Sequence, residues 1–244
     1  MKKIRLDTLL VGQGYFPDEG SALRAVLAHE VKVDDVYATS AALKVDPAAD
    51  VVVKNRTRFV SRGGHKLQGA LVAFGQEVLG TRCIDIGSST GGFTDCLLQA
   101  GAAHVACVDV NYGQLAWTLR QDARVEVFER TNIKTADPKA LGAPFDVLVA
   151  DVSFIGLAQL APAFARLSQP GSVFIGLVKP QFESHHSETD RGVVRDPQVH
   201  QRVVEEVSAA LVASGFAVTG VIESPLKGPE GNIEFLVRAV YQAS

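Results

Sequence analysis

A glycine-rich turn follows an apolar strand in the sequence Ile84-Asp85-Ile86-Gly87-Ser88-Ser89-Thr90-Gly91-Gly92-Phe93. The apolar pattern of Arg82–Ile86 predicts the strand, and Gly92–Ala100 has the spacing of a helix. A glycine-rich turn in this position lets backbone N–H groups approach a ligand closely, because glycine adopts conformations that other residues avoid. The stretch therefore predicts a strand, a ligand-binding turn and a helix in succession.

The alternation of strands and helices continues through the rest of the chain. Strands are predicted at Arg82–Ile86, His104–Val110, Val125–Glu129, Phe145–Ala150, Ser172–Val178, Phe216–Ile222 and Ile233–Val240. Helices are predicted at Gly64–Phe74, Gly92–Ala100, Tyr112–Arg120, Ile155–Leu167 and Pro197–Ser214. Strands that are apolar on both faces and alternate with helices form a mostly parallel sheet. We therefore predict an α/β fold with a seven-stranded, doubly wound, Rossmann-like sheet.

Polar or glycine-rich elements follow five successive predicted strands. They are the turn at 87–92, Asp109, Thr131-Asn132, Asp151 and Lys179-Pro180. Ligands of such sheets bind beyond the carboxyl ends of the strands, so we expect these elements to share one site. A carboxylate at the position of Asp109 suits a ribose diol.

Glu234 begins the last predicted strand. If that strand is antiparallel, its start lies at the same edge as the other polar elements. The alternative is that Glu234 is a surface partner for Arg238.

The glycine-rich turn excludes two common nucleotide sites. Dinucleotide-binding turns need a second glycine where this chain has Ser89, which disfavours a nicotinamide cofactor. The Gly-Lys-Ser/Thr end of a phosphate-binding P-loop is absent. The pattern Asp-x-Gly-x-x-x-Gly-Gly instead resembles the first motif of class I S-adenosylmethionine methyltransferases. This resemblance implies S-adenosylmethionine as the cofactor, with the binding residues Asp85, Gly87, Ser88, Ser89, Gly91, Gly92, Phe93, Asp109 and Asn132.

The predicted methyl acceptor follows from motifs that are absent and one that is present. Amino-group methyltransferases resemble one another in an Asn/Asp-Pro-Pro-aromatic motif, but this chain has Asp151-Val-Ser-Phe154 and no Pro-Cys pair of a ring-carbon enzyme. Lys66, Asp151, Lys179 and Glu234 occur in an order similar to the tetrad of FtsJ-like RNA ribose 2′-O-methyltransferases. The resemblance implies that all four are catalytic, with Lys179 as the candidate base.

Longer strings narrow the resemblance to the TlyA family, whose members are called hemolysins and also rRNA cytidine 2′-O-methyltransferases. The strings are Val60–Leu67, Asp85–Asp95, Glu129–Asn132, Ala150–Phe154, Val178–Glu183 and Gly192–Pro197. The resemblance covers essentially the whole chain. It implies ribose methylation of ribosomal RNA, with ribosomal RNA or ribosomal subunits as partner and neither DNA nor a membrane.

The first part of the chain predicts a separate small α+β domain. We expect residues 1–58 to form this domain, 59–63 a linker and 64–244 the methyltransferase domain. The family has an N-terminal RNA-binding domain of the type first named in the ribosomal small-subunit protein S-four, which Arg5-Leu-Asp7 and Val31–Val33 resemble. Asp18-Glu19 and Asp34-Asp35 depart from its usual Ser-Arg and Asn-Gly, and an acidic residue reverses the sign of a phosphate contact.

Composition and charge set the class of protein. Hydrophobic residues make up 47% of the 244 residues and charged residues 21%, which argues against a disordered chain. No apolar run approaches the roughly 20 residues of a membrane span, and three cysteines without a Cys-x-x-Cys motif predict reduced thiols in a cytoplasmic protein. Residues 1–62 contain 10 Lys and Arg against 8 Asp and Glu, whereas the remainder contains 14 against 19. A basic module on an acidic body suggests a polyanionic partner; the alternative is a solvated surface.

Three further readings follow from the sequence. His185-His186 with Glu188 could suggest a metal site, but adjacent residues in a polar loop rarely act as joint ligands, so we expect no metal. A membrane-lytic protein would need an exposed amphipathic or spanning segment, whereas Pro197–Ser214 fits a helix that covers the sheet. A non-catalytic RNA-binding protein with a methyltransferase fold would bind the cofactor without turnover.

Overall fold

The computed structural model describes residues 3–13, 15–16, 18–47, 49–54 and 58–242. The chain divides into two compact units, residues 1–58 and residues 59–244.

The first unit is a small α+β structure. Its elements are β1 (Ile4–Arg5), α1 (Leu6–Gly12), α2 (Glu19–Leu27), β2 (Val31–Val33), β3 (Val36–Tyr37), β4 (Lys44–Val45) and β5 (Val51–Val53). Strands β1 and β4 pair with each other, and β2 lies between β3 and β5 in a second antiparallel sheet. Both helices pack on these strands through one apolar core that includes Leu6, Leu10, Ala22, Val26 and Val31.

The second unit contains a seven-stranded sheet in the order β11-β12-β10-β9-β6-β7-β8. Its strands are β6 (Arg82–Ile86), β7 (His104–Val108), β8 (Val125–Phe128), β9 (Phe145–Ala150), β10 (Ser168–Val178), β11 (Phe216–Glu223) and β12 (Phe235–Tyr241). Its α-helices are α3 (Gly63–Phe74), α4 (Gly92–Gln99), α5 (Trp117–Arg120), α6 (Ala161–Arg166), α7 (Pro180–Glu183) and α8 (Pro197–Ala213). Short 3₁₀ helices lie at Leu157–Leu160, His186–Glu188 and Pro229–Gly231. The predicted α/β fold with a seven-stranded, mostly parallel sheet is confirmed.

Both faces of the sheet are covered because its strands are apolar on both sides. Consecutive residues of β6 enter different cores: Cys83 packs with α3 and α4, whereas Ile84 packs with α6 and α8. Consecutive residues point to opposite faces of a strand, so a run without polar residues needs helices above and below it. The sheet is therefore a rigid base for the side chains at its edge.

The last strand runs against the others and carries its first residues to that edge. Val178 at the end of β10 pairs with Phe235 at the start of β12, in antiparallel register. Lys179 directly follows this pair and Glu234 directly precedes it. Glu234 therefore lies before the strand rather than within it, but at the predicted edge.

Residues 59–63 belong to the second unit and are not a free linker. Phe59 is buried in the core beside α3, and Gly63 is the first residue of that helix. A Cβ at Gly64 would overlap the ring of Phe59, so the glycine allows the ring to pack there.

Two predicted helices are shorter or divided. Instead of a helix at 112–120, only Trp117–Arg120 is helical, because Gly113 has a φ of +74° and its N–H donates to Glu129 Oε1 at 2.8 Å. The helix predicted at 155–167 is a 3₁₀ helix, Leu157–Leu160, followed by α6. Strand β10 begins at Ser168, four residues before the predicted start.

Candidate active site

The turn after β6 has the backbone conformation that its glycines predict. Gly87 has a φ of +81°, and a Cβ there would lie 2.6 Å from the backbone oxygen of Asp151. Gly91 has a φ of +95°, and a Cβ there would overlap Leu119. Ser89 also adopts a positive φ of +47°, and its backbone N–H donates to Asp109 Oδ2 at 2.8 Å. The turn is thus held against the end of the neighbouring strand.

A cavity of about 550 Å³ lies beside this turn; we call it the Asp109 cavity. Gly87, Ser89, Asp109 and Asn132 line it, together with residues 151–155. Asp109 Oδ1 accepts a hydrogen bond from the N–H of Asn111 at 2.8 Å, so both carboxylate oxygens have a fixed direction. Four of the predicted cofactor residues therefore share one cavity.

A second cavity, of about 420 Å³, contains all four residues of the predicted tetrad; we call it the Lys66 cavity. Ser88, Gly92, Phe93 and Asp85 line it as well, and Gly87, Ser89 and Asp151 line both cavities. Gly91 lines neither; its described neighbours are the leucine side chains that its missing Cβ would meet.

The tetrad forms two ion pairs. Lys66 Nζ pairs with Glu234 Oε2, and both side chains are buried. Lys179 Nζ lies 2.6 Å from Asp151 Oδ1 and donates to Ser153 Oγ at 3.0 Å. The two cations and two carboxylates of the tetrad balance each other within the ion pairs, which lowers the cost of burying each charge. Asp151 remains 24% exposed whereas the Glu234 side chain is fully buried, so the Lys179 pair is the accessible one.

Asp85 is a buried acid at the base of the Lys66 cavity. Its Oδ2 accepts hydrogen bonds from the N–H and the hydroxyl of Thr94, at 2.9 and 2.7 Å. Its Oδ1 has no hydrogen-bond partner among the described residues. Burial raises the pKa of Asp85 to about 7, and the nearby carboxylate of Asp151 adds to this effect.

The structure also shows residues that the sequence did not single out. Ser153 lies within the string 150–154 but was not predicted to be a site residue. Its Oγ accepts the hydrogen bond from Lys179 Nζ. A third cavity, of about 480 Å³, adjoins Lys179 and Glu234; we call it the Gln181 cavity. Gln181 and Ser184 line it. Their Oε1 and Oγ atoms are buried and have no hydrogen-bond partner in the described part of the chain. Only their burial distinguishes these two residues, and the burial of a single polar residue cannot be predicted from sequence.

Arg238 and Glu188, which two of the alternative readings involve, have other hydrogen-bond partners. Arg238 donates to Gln76 and Thr219 rather than to Glu234. Glu188 accepts hydrogen bonds from Arg202. Across the described ranges, no group of three or more His, Cys, Asp or Glu could hold a metal ion. Nor does any helix within them have the length and apolar character needed to cross a bilayer.

The sheet order, the glycine-rich turn and the adjoining cavities define a class I S-adenosylmethionine methyltransferase. Residues 59–241 match the model of the FtsJ-like methyltransferase family. A relative in Mycobacterium tuberculosis (strain ATCC 25618 / H37Rv), the 16S/23S rRNA (cytidine-2′-O)-methyltransferase TlyA, is 44% identical over 97% of this chain and 89% of its own length. The chain therefore belongs to the FtsJ-like methyltransferases and, among them, to the TlyA family, and its cofactor is S-adenosylmethionine.

Other relatives carry a second name. Hemolysin A of Brachyspira hyodysenteriae is 36% identical over 97% of this chain and all of its own length. A solved structure from Streptococcus thermophilus, provisionally named a hemolysin, has a TM-score of 0.75 and 40% identity, covering 100% of this chain and 90% of that one.

An O-methyltransferase from Bacillus cereus in complex with S-adenosylhomocysteine shares the fold, with a TM-score of 0.51 and 20% identity over 74% of this chain and 82% of that one.

Burial of Asp85 predicts a pH-dependent stability. Its native pKa of about 7 lies above the ordinary value of 3.8, so the native state binds a proton more tightly than the unfolded chain does. The resulting stabilisation is complete below the ordinary pKa and is lost as the pH rises to about 7. Asp85→Asn carries no charge, so its free energy of unfolding should exceed that of wild type by more at pH 8 than at pH 5, as measured by urea denaturation. Exposed Glu77→Gln is the control, and an equal pH dependence in both variants would contradict this account.

Asp109 predicts a change in cofactor affinity. A carboxylate that accepts from a ribose hydroxyl contributes about 1.5–3 kcal/mol, so Asp109→Ala should weaken S-adenosylmethionine binding by roughly 10- to 100-fold in calorimetry. Asp109→Asn keeps one acceptor oxygen for the turn and should lose less. Undiminished affinity in Asp109→Ala, or binding of NAD in place of S-adenosylmethionine, would show the assignment to be wrong.

Proposed function

We propose that this protein transfers a methyl group from S-adenosylmethionine to a ribose 2′-hydroxyl of ribosomal RNA, at a cytidine, in the cytoplasm where ribosomal subunits are found. The observation that carries the proposal is the meeting of Lys66, Asp151, Lys179 and Glu234 in one cavity that adjoins the Asp109 cavity. The M. tuberculosis relative supports the nucleotide and the RNA, since it is named a cytidine 2′-O-methyltransferase of 16S and 23S rRNA.

The residues beside the glycine turn fit the cofactor. The close approach of backbone at Gly87 leaves a cradle that a Cβ would fill, and Asp85 Oδ1 is a buried acceptor without a partner among the described residues. Asp109 and Asn132 would hold the ribose side, with Ser88, Ser89, Gly92 and Phe93 towards the methionine side. When bound, S-adenosylmethionine supplies a methyl group on a positively charged sulfur, which is reactive without a metal.

Lys179 is placed to act on the acceptor hydroxyl. Asp151 and Ser153 hold its Nζ at 2.6 and 3.0 Å, so the amine points into the cavity in one direction. An unprotonated Nζ can take the proton of a 2′-hydroxyl, a contribution of about 10²–10⁴-fold to rate. A protonated Nζ can instead stabilise the developing alkoxide as a fixed charge. The buried Lys66–Glu234 pair completes the wall opposite.

The Gln181 cavity supports a nucleotide as the acceptor. It opens beside Lys179 and Glu234, so a ribose at Lys179 would place its base within reach. The polar side chains of Gln181 and Ser184 line this cavity, so a base there would meet hydrogen-bonding groups as well as the ring of Phe182.

The first unit is proposed to bind RNA. The acidic residues that depart from the family pattern have local structural roles: Asp18 Oδ1 caps α2 by accepting from the Ser21 N–H at 2.7 Å, and Asp34 Oδ1 accepts from the Asp50 N–H at 3.0 Å. Asp34 and Asp35 have φ values of +49° and +64°, which fit a tight turn between β2 and β3. Asp18 and Asp34 therefore have local structural roles, and the basic residues of the unit are the ones that we propose to contact phosphates.

Two substitutions of Lys179 test whether its amine acts as a base or as a fixed charge. We expect Lys179→Ala to lose about 10²-fold or more of the turnover with labelled S-adenosylmethionine and separated ribosomal subunits, while cofactor affinity changes little. Lys179→Arg should fail almost as badly, because a guanidinium does not accept the proton. Mapping of the labelled 2′-O-methyl identifies the nucleotide.

Two outcomes would change this proposal. Near wild-type turnover in Lys179→Arg would make the amine a fixed charge. Cofactor and RNA binding by the wild-type protein without methyl transfer would indicate a non-catalytic RNA-binding protein.

Salt dependence tests the role of the first unit. A chain that lacks residues 1–58 should bind ribosomal RNA more weakly and with a flatter dependence on salt, since each lost phosphate contact removes about 0.7–0.9 from the slope of log K against log salt. Its calorimetric affinity for S-adenosylmethionine should persist. Unchanged RNA affinity and slope would assign the phosphate contacts to residues 59–244.

A further inference from the structure

Two segments that leave neighbouring strands carry the accessible ion pair. Residues 151–156 follow β9, and residues 179–183 follow β10. Lys179 joins the segments at one end, through Asp151 at 2.6 Å and Ser153 at 3.0 Å. The rings of Phe154 and Phe182 add a contact in the middle, with centroids 5.5 Å apart.

Glu183, the last residue of the second segment, binds the residues that directly follow the first segment. Its Oε1 accepts from the backbone N–H of Leu157 at 2.6 Å, and the N–H of Ala158 also donates to its carboxylate. These N–H groups begin the 3₁₀ helix Leu157–Leu160. The residue before this helix is Gly156, which has no side chain that could cap it. A Cβ at Gly156 would overlap the Glu183 carboxylate, so glycine is what permits the close approach.

The surroundings of Glu183 act on the pKa of its carboxyl in both directions. Burial raises the pKa of this carboxyl, and the carboxylate of Glu206 on α8 raises it further, whereas the two backbone donors oppose both effects. Glu183 is not among the described residues that line the Asp109, Lys66 or Gln181 cavities. Its hydrogen bonds are with the backbone of Leu157 and Ala158, which directly follow residues 151–156.

The segment that Glu183 holds separates all three cavities. Asp151 and Ser153 line both the Asp109 and the Lys66 cavities, and Phe154 lines the Asp109 and the Gln181 cavities. A displacement of this segment changes the geometry on the cofactor side and on the acceptor side together. A misplacement of about 1 Å can cost about 10²-fold in rate.

We propose that Glu183 is a positioning residue: by capping the helix at Leu157 it fixes residues 151–156, and with them Asp151 and Ser153, relative to Lys179. The expected effect on kcat rests on the proposed function. The expected effect on cofactor affinity does not, because it depends only on the position of residues that line the cofactor site.

Three variants and one control test the proposal in the full-length chain. Glu183→Ala removes the cap, Glu183→Gln retains one acceptor oxygen, and Gly156→Ala displaces the carboxylate without changing it. Glu188→Gln is the matched control, because Glu188 accepts from Arg202 and from the His185 N–H and is not bonded to residues 151–158 in the described structure. The measurements are kcat and KM with ribosomal subunits, S-adenosylhomocysteine affinity by calorimetry, and Tm.

We expect Glu183→Ala to lower kcat by about 10- to 100-fold with little change in the KM for subunits. S-adenosylhomocysteine should bind more weakly, Gly156→Ala should show the same pattern, and Glu183→Gln should lie between it and wild type. Glu188→Gln should retain both kcat and affinity. If Glu183→Ala does not fold, Glu183→Gln and Gly156→Ala carry the comparison.

Wild-type kcat and S-adenosylhomocysteine affinity in the Glu183 variants would overturn the proposal. So would an equal loss in Glu188→Gln, since a general loss of stability would then account for it. A wild-type protein that methylates no ribosomal RNA would defeat the proposed function alone, because the S-adenosylhomocysteine affinities would still decide the role of Glu183.

Discussion

The buried pair of Lys66 and Glu234 joins the first helix of the larger unit to the start of its last strand, across 168 residues of sequence. Removing one member of a buried pair costs about 3–5 kcal/mol, because the other charge is left without compensation. The pair therefore requires α3 and the beginning of β12 to meet at one edge of the sheet. The antiparallel course of β12 makes this meeting possible, since it returns the chain to the edge where the parallel strands end.

The second pair has the same chemistry in a different environment. Asp151 is partly exposed and shares Lys179 with Ser153, whereas Glu234 has no exposed surface on its side chain. One pair is thus suited to anchor the cavity and the other to meet a substrate. Asp151 and Ser153, in the segment 151–156, line both the Lys66 cavity and the Asp109 cavity. Glu183 bonds to the helix that follows this segment.

The acidic residues of the first unit show how a departure from a family pattern can be structural. Asp18 is a good helix cap, and aspartate tolerates the left-handed conformation of a tight turn. If only charge is considered, the acidic residues at these positions predict the loss of a phosphate contact. The hydrogen bonds of Asp18 and Asp34 show a local use for these two carboxylates that a count of charges does not consider.

The alternation of apolar runs was sufficient to predict the sheet, its longer helices and the polar residues at its edge, because both periodicity and the rule for strand ends depend on residue order alone. It also located the turn at Gly87 and the carboxylate of Asp109. The helix expected at 112–120 was mostly wrong, because Glu129, which directly follows β8, accepts a hydrogen bond from the N–H of Gly113. The burial of Phe59, the partner of each lysine, the lone oxygen of Asp85 and the cap at Leu157 were decided only by the tertiary structure. Each depends on which side chains meet when strands take their register, and that information lies in contacts between residues far apart along the chain.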